Sequence, residues 1–258
     1  MSVLDSFRLD GRAAVVTGGA GLFGRQIVEA LAEAGARTFM ASRHVEKLEA
    51  QAQQFRAAGL DVSALRFDQG DAHSTRALLD QLLAQVEGVD ILVNNAVARP
   101  MRDWSDDASA WEASMRVNAT GLFSITKLFG EHMAVRGRGS IINIGSIQGL
   151  VGPDFTLYEG LGWGLPPDYF FNKGGMNQFS RYVAGKLGAQ GVRCNTVCPG
   201  GFFNHQDPIF VERYNRRTFL GRMAGESDLK GVIVFLASDS SSYVTGAEIV
   251  VDGGYTAK

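Results

Sequence analysis

The chain reads as an α/β protein: a single doubly wound parallel sheet with helices on both faces. Three observations carry that reading. Short apolar runs alternate with stretches of helical periodicity along the whole sequence. Hairpin signals are few, so successive strands are joined by helical crossovers and run parallel. A glycine-rich loop, GGAGLFG, parts the first strand from the first helix, an arrangement that aims backbone N–H groups at a phosphate. At 258 residues one domain accommodates a large core, and no linker or internal repeat divides it.

Composition narrows the function classes. The formal net charge of −2 gives no electrostatic reason to expect nucleic acid or an anionic membrane as partner. No apolar run approaches the ~18 residues of a membrane span, and the start, MSVLDSFRLDGR, lacks the apolar stretch of a secretory signal. A soluble, cytoplasmic protein is the expectation. Cys194 and Cys198 lie on one predicted strand, roughly 13 Å apart, too far for a disulfide. His44, His73, His132 and His205 show no metal-ligand spacing, so no metal is expected.

Taken in order, residues 12–17 (RAAVVT) form a short apolar strand bounded by glycines. After the loop containing Gly18, Gly21, Leu22 and Phe23 comes a helix whose apolar positions Ile27, Val28, Leu31 and Ala34 stop at Gly35. The second strand, ARTFMA, ends at Ser42 and Arg43, where a dinucleotide's adenosine ribose would lie. An acid there would repel a 2′-phosphate. A hydroxyl and a guanidinium suit one, so NADP is favoured, with NAD the alternative.

A helix over 45–58 leads to a third strand, DVSALRFD, ending at Asp68 with Gln69 beyond it. A helix over 74–86 precedes the strand VDILVNNA, which ends in Asn94, Asn95 and Ala96. Buried carboxamides there need partners and can brace strands or line a cleft. A long helical stretch, 108–135, carries Asn118 in its middle, with Gly121 hinting at an irregularity that turns the side chain inward. The fifth strand, SIINIG, leads to Ser146, and the sixth, VRCNTV, to Pro199 and Gly200. Helical stretches over 208–220 and 226–237 precede the last strand, AEIVVDGG. Ligands on such sheets bind beyond the carboxyl ends of the strands, so these post-strand residues share one crevice.

The stretch DYFFNK opens a helix and sets Tyr169 and Lys173 on one face, four residues apart. An ammonium close to a phenol favours its ionised form. A Tyr-x-x-x-Lys pair alone is weak; its company gives it weight.

With these residues the chain resembles the short-chain dehydrogenase/reductase family along nearly its whole length. Residues 17–24 (TGGAGLFG) are similar to the family's cofactor loop, and Asn94, Asn95 and Ala96 to its NNAG motif. Asn118, Ser146, Tyr169 and Lys173 are similar to its catalytic tetrad, and YVTGAEIVVDGG to its ending. The resemblance implies a Rossmann-like NAD(P)-binding domain. It makes Tyr169 the general acid or base, and Lys173 its electrostatic support and a hold on the nicotinamide ribose. Ser146 becomes the donor to the substrate oxygen, and Asn118 the support of a water-linked relay. A homotetramer, or a homodimer, is implied as well.

Three departures stand out: Leu22 and Val97 each replace a glycine, and Ser146 and Tyr169 are 23 apart (169 − 146) where the family keeps them closer. Tyr158 sits nearer the usual spacing, but its i+4 residue is Gly162. Tyr169 is therefore the assigned phenol, and residues 153–168 are read as an inserted loop over the site, a lid or a subunit contact. The expected function is NAD(P)(H)-dependent interconversion of a secondary alcohol and a carbonyl on a sugar, sugar acid or polyol. Glu159, Trp163, Asn204 and His205 motivate the polar substrate. The alternatives are a 3-oxoacyl-thioester reductase, with Arg99, Arg102, Arg213, Arg216 and Arg217 meeting an acidic carrier, and a non-catalytic dinucleotide sensor or scaffold.

Overall fold

The computed structural model describes residues 2–258. Strands β1 (Ala13–Thr17), β2 (Arg37–Ser42), β3 (Val62–Arg66), β4 (Ile91–Asn94), β5 (Gly139–Ile144), β6 (Val192–Pro199) and β7 (Glu248–Val251) build one seven-stranded sheet. Its order is β3-β2-β1-β4-β5-β6-β7, and every neighbouring pair is parallel. The order reverses between β1 and β4, which opens a crevice at their carboxyl ends.

The alternation in β1 shows how the sheet acquires two cores. Ala14 and Val16 face a cluster with Ile27 and Leu31 of α1 (Leu22–Glu33), Leu48 of α2 (Val45–Ala57) and Ile233 of α8 (Lys230–Ala237). Ala13 and Val15 face the other side. There they meet Leu78 of α3 (Ala72–Leu83), Phe129 of α5 (Leu122–Val135) and Val183 of α6 (Pro167–Leu187). Burial on both faces is why the central strands read as unbroken apolar runs. A third, smaller cluster joins Leu157 to Phe210 and Tyr214 of α7 (Pro208–Arg217) beneath the 150–166 loop.

The elements fall where the sequence places them, with trimmed ends. The third strand stops at Arg66, short of Asp68. The following helix starts at Ala72, because the Asp71 carboxylate accepts from the His73 N–H at 2.9 Å and caps it. The last two predicted helices are shorter at one end each, and Pro167 and Asp168 belong to α6 rather than to the loop before it. The long helix is α4 (Ala108–Met115), a π-helical segment (Arg116–Gly121) and α5 in succession. A wider turn leaves Val117 with a carbonyl that the Gln69 side-chain amide meets at 3.0 Å. Gly121 is required there, since a Cβ would lie 2.1 Å from the Gln69 carbonyl oxygen.

Candidate active site

The strand ends at the sheet reversal line a cleft of about 660 Å3. Its floor is the β1–α1 loop. Gly18 has φ +65° and its Cα packs so close to Ala96 that a Cβ would touch the Ala96 backbone at 3.0 Å. Asn95 ties this loop down: its amide donates to the Thr17 and Gly18 carbonyls at 3.0 and 2.9 Å. The Thr17 hydroxyl in turn accepts from the Asn95 and Ala96 N–H groups, both at 3.0 Å. Gly21 caps α1 without any side-chain bond to the helix start, so the first N–H groups of a 12-residue helix face the cleft unclaimed. Leu22, where the family has glycine, is the first residue of α1 and takes helical geometry; no glycine-only conformation is needed there.

Gly18, Gly21, Leu22, Phe23 and Ser42 all line the cleft, as do Asn95, Ala96 and Gly200. Arg43 does not; it is exposed, and His44 and Lys47 stand beside Ser42 in its place. Asp68, Gln69 and Pro199 also stay out of the lining. The Asp68 carboxylate accepts from the Gly70 N–H at 2.9 Å, and Gln69 serves the π-helical carbonyl. Of the loop residues read as substrate contacts, Asn204 lines the cleft while Glu159, Trp163 and His205 do not.

Ser146 and Tyr169 line the inner end. The Ser146 oxygen accepts from the Gln148 N–H at 3.1 Å, which leaves its own hydrogen free to donate into the cleft. Lys173 sits behind Tyr169, 7% exposed, with Nζ 2.6 Å from the Ile144 carbonyl and 5.6 Å from the Tyr169 ring centre. Burial pulls its pKa below the ordinary lysine value, opposed by the neighbouring Tyr169. Tyr158 also lines the cleft, but its ring rests on Phe210, 5.3 Å between centres, and burial raises its pKa, so it is a neutral phenol. Lys173 pairs with Tyr169.

Asn118 is turned inward by the π segment and is buried. Its Oδ1 accepts from the Ala98 N–H and its Nδ2 donates to the Ala98 carbonyl, each at 2.8 Å. The same Nδ2 donates to Ser114 Oγ at 2.9 Å, and that hydroxyl donates to the buried Asp168 carboxylate. The chain from Asp168 through Ser114 to Asn118 thus fixes the backbone after β4, just before Arg99. The guanidinium of Arg99 lies 4.9 Å over the Tyr169 ring, within cation–π range. Neither Ser114 nor Asp168 is visible as a site residue in the sequence; only the fold brings their helices together.

The 150–166 loop, whose Tyr158 lines the cleft, is fastened by α7. Arg213 donates to the carbonyls of Thr156, Leu157 and Glu159 at 3.3, 3.3 and 2.7 Å, and Arg217 pairs with Asp154 at 2.5 Å. Arg216 pairs with Glu212 on its own helix. Arg213, Arg216 and Arg217 are thus bonded within the chain, the last two while still largely exposed.

The fold and this arrangement define a dinucleotide-dependent oxidoreductase. Residues 20–256 match the family model described as enoyl-(acyl carrier protein) reductase. Galactitol 2-dehydrogenase (L-tagatose-forming) of Cereibacter sphaeroides is 35% identical, with 97% of each chain covered. D-threitol dehydrogenase of Mycolicibacterium smegmatis is 33% identical over 100% of this chain and 98% of its own. A gluconate 5-dehydrogenase from Burkholderia cenocepacia, solved in complex with NADP and tartrate, superposes with a TM-score of 0.90 at 33% identity, covering 100% of both chains. The chain belongs to the short-chain dehydrogenase/reductase family and is an NAD(P)(H)-dependent oxidoreductase of CH–OH groups. Among the described residues no helix is long and apolar enough to cross a membrane.

Proposed function

We propose that the protein interconverts a secondary alcohol and a ketone on a small hydroxylated substrate, a polyol or a sugar acid, with NADP(H) as hydride carrier. The observation that carries this is the meeting of Ser146 and Tyr169, with Lys173 buried behind, at the inner end of the cleft whose floor is the glycine loop. The residues fit a dinucleotide: an unclaimed helix start for a pyrophosphate, and Ser42, His44 and Lys47 for a 2′-phosphate. When bound, the cofactor supplies the nicotinamide that exchanges hydride with the substrate carbon.

The protein's own work is orientation and proton delivery. Ser146 donates to the substrate oxygen, and Tyr169 gives or takes the proton on that oxygen. The ammonium of Lys173, buried behind Tyr169, stabilises negative charge on the phenol oxygen. Asn118 holds the backbone that carries Arg99. Relatives named for galactitol and threitol, and the gluconate 5-dehydrogenase with NADP, support the substrate class and the cofactor. The oxoacyl-thioester reading is the alternative, and turnover of acetoacetyl thioesters by the same assay would favour it.

The test is nicotinamide absorbance with a panel of polyols, aldonates and ketones. Tyr169→Phe should lower turnover by about 10²- to 10⁴-fold while NADP binding persists; undiminished turnover would overturn the assignment. We further propose that the enzyme acts in the cytoplasm as a homotetramer. Half- to well-exposed Phe123, Val135 and Tyr182 on α5 and α6 form an apolar groove of about 590 Å3 that suits a second copy. Light scattering would show a monomer if this is wrong, and cell fractionation would show another compartment.

A further inference from the structure

We infer that the substrate of this site carries a carboxylate and that Arg99 is the residue that recognises it. The inference rests on the hydride-transfer function proposed above and asks which of its substrate classes the cleft is built for. Among the described residues, no Asp or Glu lines the cleft. The basic side chains in its wall stand at two places. His44 and Lys47 are beyond the tip of β2, and Arg99 is beyond β4. With β1 between them, those strand tips are roughly 10 Å apart. One group can serve a cofactor phosphate at the outer end. The other stands over Tyr169, 4.9 Å from its ring centre, where the substrate is held.

Arg99 has no ion-pair or hydrogen-bond partner among the described residues, unlike Arg213 and Arg217 nearby. Its backbone is nevertheless held on both sides. Ala98 is clamped by two bonds to Asn118, and Pro100 restricts the preceding residue to extended geometry. An exposed guanidinium that lies over the Tyr169 ring, carried on an anchored backbone in a wall free of carboxylates, is placed to bind a carboxylate in bidentate fashion. The rest of that end, Ser146, Gln148, Asn204 and Tyr158, offers hydroxyls and amides suited to the chain hydroxyls of a hydroxy acid. The Gln148 Oε1 is buried without a partner, as an acceptor awaiting a substrate hydroxyl would be.

The experiment compares aldonates with alditols of the same carbon number, such as D-gluconate with D-glucitol, on the wild-type protein, Arg99→Ala and Arg99→Lys. The wild type should prefer the acids. Arg99→Ala should lower the acid-to-alditol ratio of kcat/KM by about 10- to 100-fold, chiefly through KM for the acid. Arg99→Lys should restore part of it. Calorimetry adds a readout free of turnover. On a Tyr169→Phe background loaded with NADP, the Arg99→Ala change should weaken D-gluconate binding by a similar factor and leave NADP binding as it was. Equal losses on acids and alditols, a wild-type preference for alditols, or weakened NADP binding would each overturn the inference while leaving the hydride-transfer reading intact. Turnover of no alcohol or ketone by the wild type would remove both.

Discussion

Lys173 is a cation held where water barely reaches it, and that has consequences on both sides of the folding equilibrium. Desolvation favours the neutral amine, so in the apoprotein the proton leaves below the ordinary value of 10.5. The unfolded chain keeps the proton more firmly. Between the lowered pKa and 10.5 the unfolded state therefore binds more protons, and stability rises with pH in that window. Catalysis moves the other way, because the ammonium is the form that supports Tyr169. We expect kcat/KM to fall on its alkaline limb before pH 10.5 while the stability difference between wild type and Lys173→Met shifts in favour of wild type. Parallel pH profiles of turnover and denaturant midpoint check this; an alkaline limb at or above 10.5 would contradict it.

One helix shows how a backbone irregularity is converted into a site. The π-helical turn at Arg116–Gly121 exists because Gly121 lets the Gln69 backbone pack where any Cβ would collide, and because the Gln69 side chain satisfies Val117. Gly121→Ala should cost about 1–3 kcal/mol by overpacking and should also lower kcat, since Asn118 and the Ala98 clamp depend on that turn. Gly185→Ala is the control. Nothing lies within 4 Å of its added methyl, and a helical Gly→Ala change should stabilise by about 0.5–1 kcal/mol. Thermal melts and steady-state kinetics on both variants decide it.

The same helix marks where sequence reading stops. Apolar runs and helical periodicity are local, so the succession of strands and helices, the glycine loop and the Tyr169–Lys173 face were legible. Gly121 hinted at the irregularity. The pairing of Asn118 with Ala98, the Ser114–Asp168 link and the place of Arg99 over Tyr169 were not, because each joins segments far apart in the chain. Beyond β2, Arg43 follows the strand as read and is exposed, while His44 and Lys47, which the sequence did not single out, line the cleft.

Across the molecule, cohesion and chemistry occupy opposite ends of the sheet. At the amino ends of the strands the buried Asp90 accepts from the Ala13 N–H at 2.9 Å and pairs with Arg136 and Arg138 at 3.2 and 3.0 Å. Asp90→Ala leaves that N–H without its acceptor and the guanidiniums of Arg136 and Arg138 without their counter-charge. We expect a loss of about 2–3 kcal/mol in stability with KM and kcat unchanged, measured by urea unfolding and steady-state kinetics. A change in KM would show that the two ends are coupled. At the cleft end, Arg213 grips the covering loop only through main-chain oxygens, which every residue type possesses. Apart from Asp154, which Arg217 holds, and the buried Leu157, side chains along that loop can therefore be exchanged without loosening its anchor. Lineages diverging from this scaffold are free to explore new substrates by substitution at positions such as Phe155 and Glu159, with folding left out of the contest.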